Sequence, residues 1–263
     1  MNILIGQNHL YSVGGTETFT YALIEELKKR KDVKEICVIV PHRNRLGVMS
    51  DKIKEDFGIQ VNKIPKKYIK SAPDNFFSER FDLCIISHNT TMESLLDSDL
   101  DYNQDNVYQV CHGTIPDLEQ PFISEEGVDY QSIKYIAISQ EIKEYLKSEY
   151  NLDSQVIHNG IDCEKFKSDT ISETPTSVLS LSQNDKLIIA DDRGYQTGLA
   201  DGAINKENID NFLKYNCSGR SSKILPTKDF IEEQILKYNI QDCKDNREYA
   251  LKNFNIKKQT DKL

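Results

Sequence analysis

Six apolar runs of strand length recur along the chain, at residues 3–5, 36–40, 83–86, 107–111, 136–138 and 156–157, with helix-periodic segments between them. Runs without polar alternation suit strands buried on both faces, which parallel sheets require and helices on either side provide. Between the first two, residues 16–29 put Phe19, Leu23 and Leu27 on one helical face, with Glu25, Glu26, Lys28 and Lys29 expected toward water. A second helix is predicted over 140–150, with Ile142, Tyr145 and Leu146 inward. Crossovers in such sheets are right-handed, and ligands gather beyond the C-terminal strand ends. Chemistry is therefore expected in the loops after Ile5, Ile86 and Cys111.

Composition removes several classes. The chain has 263 residues, enough for one large domain or two modest ones, and no apolar stretch of membrane-spanning length. Met1 runs directly into a strand without a basic segment, apolar core and cleavage site, which points to the cytoplasm. A net charge of -9 argues against binding nucleic acid, which needs a basic face to displace counterions. The patch Lys66, Lys67, Tyr68, Ile69 and Lys70 reads first as a solvated face and second as a weak contact with an anionic membrane. Cys37, Cys84, Cys111, Cys163, Cys217 and Cys243 are scattered singly, so they read as reduced thiols rather than disulfides or metal ligands.

Residues 167–177 are polar, contain Pro175 and lack periodicity, as a linker would. Beyond them lie strand-like runs at 177–181 and 187–190 and a stretch punctuated by Gly194, Gly198 and Gly202. Helical patterns follow at 206–215, 227–238 and 246–254.

Three constellations could carry chemistry. Gly14, Gly15, Thr16 and Glu17 join the first strand to the first helix. Glycines there let the backbone approach a ligand, Thr16 could cap the helix, and free N–H groups with the helix dipole suit an anion. The loop is too long for a dinucleotide-binding turn. His88 and Asn89 follow the strand at 83–86, and His112 and Gly113 follow the one at 107–111. Histidines at strand ends either anchor loops or bind hydroxyls and handle protons. Third, residues 136–139 end a strand in Ser139, and an Asn159-Gly160-Ile161-Asp162 turn follows the strand at 156–157.

That third segment resembles the close of the N-terminal domain in the retaining GT-B glycosyltransferases (glycosyltransferase group 1, family 4-like), where a strand ending in Ser and an Asn-Gly-Ile/Val-Asp turn lead into the interdomain linker. The resemblance implies an α/β fold: a Rossmann-like parallel sheet domain of GT-B type at 1–166, a linker at 167–177 and a shortened second α/β domain at 178–263. The last helices would cross back to the first domain. It also implies that Gly14, Gly15, Thr16 and Glu17 lie near the donor diphosphate and the acceptor, and that His112 faces the transferred sugar as the catalytic histidine. His88, Asn89, Gly113, Ser139 and Asn159 would line the substrate site.

The donor half of the pattern is incomplete. A strand followed by Gly-Arg, a downstream Lys-Gly and an E-x7-E pair normally hold the nucleotide, because the leaving diphosphate accumulates negative charge. Here residues 178–185 read Val-Leu-Ser-Leu-Ser-Gln-Asn-Asp where Gly-Arg is expected, and no E-x7-E follows residue 164. Arg193 and Arg220 are candidates for the diphosphate, with surface arginines as the alternative; Asp191-Asp192 reads as turn chemistry rather than a metal site. The expected function is sugar transfer from a nucleoside diphosphate sugar to a glycan or lipid-linked acceptor, without a metal or other cofactor. The alternative is a catalytically impaired remnant or non-catalytic partner subunit that associates with other proteins.

Overall fold

A computed structural model of the chain describes residues 1–41, 45–64, 80–113, 133–160, 162, 204–215, 224, 227–236 and 240–263. The basic patch at 66–70, the linker, the strand-like runs at 177–181 and 187–190, Arg193, Arg220, Cys163 and Cys217 lie outside them, as does the side chain of Cys243.

The chain divides into two units. The first comprises 1–138, 142–159 and Leu263, and the second 139–141 and 160–262. In the first, β1 (Asn2–Gly6), α1 (Gly15–Leu27), β2 (Glu35–Pro41), α2 (Val48–Phe57), β3 (Val61–Ile64), β4 (Leu83–Ser87), α3 (Asn89–Leu96), β5 (Val107–Cys111), β6 (Lys134–Ala137), α4 (Gln140–Tyr150) and β7 (Ser154–Val156) follow in order. The seven strands form one all-parallel sheet in the order β3-β2-β1-β4-β5-β6-β7. The fold is therefore α/β, and its strand order is that of a doubly wound, Rossmann-like sheet.

Strand periodicity sorts the core into two layers. Ile3, Ile5, Val38, Val40 and Ile85 face Leu23 and Ile24 of α1, Ile53 of α2, and Ile142 and Leu146 of α4. The alternate residues Leu4, Cys37, Ile39, Cys84 and Ile86 face Met92 and Leu95 of α3. All five residues of β1 and of β4 are buried, as central strands covered on both sides must be.

All six expected strands are present. β3 escaped the sequence reading because the run Val61-Asn62-Lys63-Ile64 carries polar residues in its middle, as befits an edge strand. The expected helix at 140–150 is α4. Glu26, expected in water, is buried and paired with Lys29 at 3.0 Å. Thr16 does not cap α1: Gly14 occupies the N-cap position without a side-chain cap, and Thr16 is the second helical residue. Cys37, Cys84 and Cys111 are buried free thiols, as expected.

The second unit contains α5 (Ile209–Lys214), α6 (Lys228–Leu236), α7 (Ile240–Asn253) and α8 (Ile256–Thr260). Ile204, Ile209 and Phe212 make a small core, joined by Leu213 and Tyr249. α7 begins well before the expected residue 246, and the short α8 has too few residues to show a period. Gly160 also backs onto α8: a Cβ there would come within 2.6 Å of the Ile256 Cα. Among the described residues no helix is long and apolar enough to cross a membrane.

Gly6 ends β1 where α3 crosses the sheet; a Cβ would lie 2.7 Å from Ile86 Cδ1 and 2.9 Å from Thr91 Cγ2. Gly6→Ala is expected to destabilise the protein by about 1–3 kcal/mol through overpacking, read as a lowered urea midpoint.

Candidate functional site

The strand order reverses between β1 and β4, where the chain turns from building one side of the sheet to building the other. A crevice at the C-terminal ends of that pair is the usual ligand position in such sheets. The segments reaching this edge are the β1–α1 loop and residues following β4, β5, β6 and β7.

The β1–α1 loop is held on several sides. Gln7, fully buried, donates from Nε2 to the Thr16 carbonyl at 3.0 Å and to Thr20 Oγ1 at 3.1 Å, tying the loop to the first turn of α1. Asn8 Oδ1 accepts from Thr90 Oγ1 at 3.1 Å, which ties it to α3. The Leu10 and Tyr11 carbonyls accept from the N–H groups of Ser50 and Val48, which tie it to α2. Gly47 makes that last approach possible, since a Cβ would meet the Tyr11 carbonyl oxygen at 2.6 Å.

Inside the loop, the Glu17 carboxylate turns back toward Gly14, where a Cβ would collide with it. Its Oε1 lies 3.0 Å from His9 Nδ1 and accepts from Ser12 Oγ at 3.2 Å, and its Oε2 accepts from Thr16 Oγ1 at 3.0 Å. The N-terminal end of α1, which sequence alone offers to an anionic ligand, thus has a carboxylate of the chain's own at its third helical position.

On the other side of the crevice, His88 caps α3 with φ 69° and ψ 145°, a backbone conformation that L-residues with side chains rarely adopt. Asn89 Oδ1 accepts from the Thr90 N–H at 2.7 Å, turning its side chain to the first turn of α3. The His88 and His112 rings lie 6.1 Å apart and near-parallel, at 29°. His112 also meets Phe19 of α1 edge-on at 5.2 Å, so α1 carries both the glycine loop and a wall of the His112 site. His112 Nε2 and Ser87 Oγ are 3.1 Å apart, while His112 Nδ1 is cut off from water and has no partner among the described residues. Whichever tautomer holds, one ring nitrogen is unmet among the described residues. Burial first, then repulsion from His88, pushes the His112 pKa down to about 3, so the ring is neutral at physiological pH.

His88, His112 and Ser87 are thus brought together, as are Gly14, Gly15, Thr16 and Glu17 with His9 and Ser12. Gly113 is buried behind His112. Asn159 follows β7, and its Oδ1 is buried without a partner among the described residues. His158 beside it donates from Nδ1 to the Ile138 carbonyl at 2.9 Å and so fixes that strand end. Ser139 is fully buried and falls in the second unit. Gln7, His9, Ser12, Phe19 and Ser87 were missed by the sequence reading. His9 alone carried a signal, a histidine three residues past a buried strand; the others look like ordinary loop or core residues. No group of three or more His, Cys, Asp or Glu among the described residues could hold a metal ion.

The sequence matches no protein-family model, and neither the curated proteins nor the solved structures give a match.

Two outcomes are expected. Because His112 stays neutral in the folded chain but takes up a proton near pH 6.5 once unfolded, it lowers stability as pH falls from about 6.5 toward about 3. Urea unfolding of His112→Phe should show a shallower loss over that window than wild type. At position 88, glycine relieves the positive φ and alanine does not. His88→Ala should therefore unfold at lower urea than His88→Gly.

Proposed function

We propose that the protein transfers a sugar from a nucleoside diphosphate sugar to a hydroxyl-bearing acceptor, as a retaining GT-B type glycosyltransferase with a shortened donor-side domain. The observation that carries this reading is a neutral His112 whose ring has a nitrogen unmet among the described residues, at a C-terminal strand end next to the strained His88, in an all-parallel sheet of Rossmann-like order. A neutral imidazole can hydrogen-bond a sugar hydroxyl without adding a charge that would compete with the diphosphate. The glycine loop contributes a carboxylate and hydroxyls rather than cations, which suits it to the polyol parts of the reactants. Cations for the diphosphate then have to come from the tail, with Arg193 and Arg220 as candidates. The acceptor on this reading is a glycan or a lipid-linked acceptor.

A second reading rests on the sequence beyond residue 164, which lacks Gly-Arg in place, Lys-Gly and E-x7-E. On this reading the chain is a non-catalytic partner of a complete glycosyltransferase and keeps only acceptor recognition.

Calorimetric titration with UDP- and GDP-sugars, with released nucleotide measured by chromatography, separates the two. Binding with turnover is expected, falling by about 10²-fold or more in His112→Ala. Folded protein that neither binds nor hydrolyses any donor overturns the enzymatic reading; its recovery in a stoichiometric complex with an active glycosyltransferase would establish the second.

A further inference from the structure

The large apolar side chains that the first unit leaves in water are not scattered. Apart from Met1 at the chain end, its described residues expose three: Tyr11 at 53%, Val13 at 68% and Val48 at 61%. Tyr11 and Val13 belong to the β1–α1 loop, and Val48 is the first residue of α2. The fold holds the two segments together. Leu10 and Leu46 form a parallel bridge, and the Val48 N–H donates to the Tyr11 carbonyl at 2.9 Å. The Tyr11 ring lies against Gly47, where a Cβ would meet its Cδ2 at 2.8 Å. Beneath them Leu10 is fully buried and Leu46 packs on the core, so the exposed side chains stand on a braced base. Apolar side chains grouped in this way mark a surface that something covers.

Charge selects what covers it. The chain carries 42 Asp and Glu and a net charge of -9, yet residues 7–16 and 42–49, which build the patch, contain no acid and include Arg43 and Arg45. Arg45 is exposed and has no hydrogen bond or ion pair among the described residues. Of the acids that border these segments in sequence, Glu17 is 3% exposed and turned inward to His9, Ser12 and Thr16. Asp51 lies nearly a helical turn beyond Val48. An apolar patch cleared of acids, with an unpaired arginine beside it, suits an anionic lipid surface. Tyrosine and aliphatic side chains enter the headgroup region of such a surface while arginine meets its phosphates. A second copy of the chain fits less well. Three side chains expose a few hundred Å² at most, against roughly 800 Å² per partner in a standard interface, and a two-fold contact would set Arg45 near its own copy. We propose that Tyr11, Val13 and Val48, with Arg45 beside them, form a surface by which the protein docks on a membrane containing anionic lipid. Docking is peripheral and reversible, because the patch is small. It does not rest on the sugar-transfer reading, since it is measured without turnover.

Vesicle flotation and a fluorescent reporter test this on the full-length chain. Wild type should float with phosphatidylcholine vesicles that contain phosphatidylglycerol, and less with phosphatidylcholine alone. The double variant Val13→Ser, Val48→Ser should lower the partition coefficient by about 10-fold or more. Arg45→Gln should lower it by about 5-fold, and only on the anionic vesicles. The sequence has no tryptophan, so Val13→Trp carries a single indole at the patch. Its emission should shift to the blue on the anionic vesicles and be quenched by lipid bearing a headgroup nitroxide. Lys143→Trp, at an exposed position of α4, should do neither. Wild type that does not float overturns the proposal, as does flotation unchanged in the double variant, the result that a contact through residues 66–70 alone would give. A Val13→Trp emission already blue in buffer shows the patch covered by the rest of the chain and overturns it. A concentration-dependent dimer in ultracentrifugation, lost in the double variant and found without flotation, overturns it in favour of a second copy. Should the double variant fail to fold, as its urea midpoint would show, the response of Val13→Trp to vesicles decides.

Discussion

β1 lies between β2 and β4 and is covered by α1 on one face and α3 on the other, so none of its five residues reaches water. That constraint organises the rest of the molecule. Apart from Asn2 at its start, whose side chain donates to the Arg80 carbonyl, β1 is apolar, and the chain next becomes polar at Gln7, where the sheet ends. Gln7 is itself buried, and it spends its amide on the first turn of α1 rather than on solvent. The edge formed by the strand ends is thus both the first place where polar groups are tolerated and a place where helices hold them in register.

The same constraint explains why the polar cluster is rigid. Three helices share hydrogen bonds with the β1–α1 loop, and each does so because it packs against the sheet nearby. α3 reaches Asn8 because Gly6 lets it cross close to β1, and α2 reaches Tyr11 because Gly47 leaves room for the carbonyl. The two glycines act through space, not through unusual backbone angles. The unusual backbone angle belongs to His88, and its cost of about 1–3 kcal/mol falls beside His112. The strained backbone of His88 and the buried His112 Nδ1, without a partner among the described residues, thus lie on neighbouring strand ends.

Two histidines after the strands, His112 and His9, sit in different surroundings. His112 is wedged against Phe19 and Ser87 and kept neutral by burial, so it offers direction without charge. His9 is half exposed, and its Nδ1 lies against a buried carboxylate.

Much of the sheet was legible in the residue order. Runs such as Cys37 to Val40 and Cys84 to Ile86 admit no exposed face, and solvent exclusion acts on each strand separately, so parallel strands between helices could be read one segment at a time. The histidines after β4 and β5 were legible for the same reason, since their positions follow from where apolar runs stop. β3 was hidden because an edge strand tolerates Asn62 and Lys63. The role of Thr16 was misread because capping depends on where the helix begins, and the Glu17 carboxylate took the helix end that Thr16 was expected to serve. The ties from Gln7, Asn8 and Tyr11, the pairing of His9 with Glu17 and the wedge of Phe19 against His112 join residues that nothing in linear spacing connects. They exist only once the crossovers have brought α1, α2 and α3 to one end of the sheet. Sequence determined which segments must be buried; tertiary packing decided which polar groups met at the ends of them, because hydrogen bonds and ring contacts act over a few ångströms that only the folded chain can set.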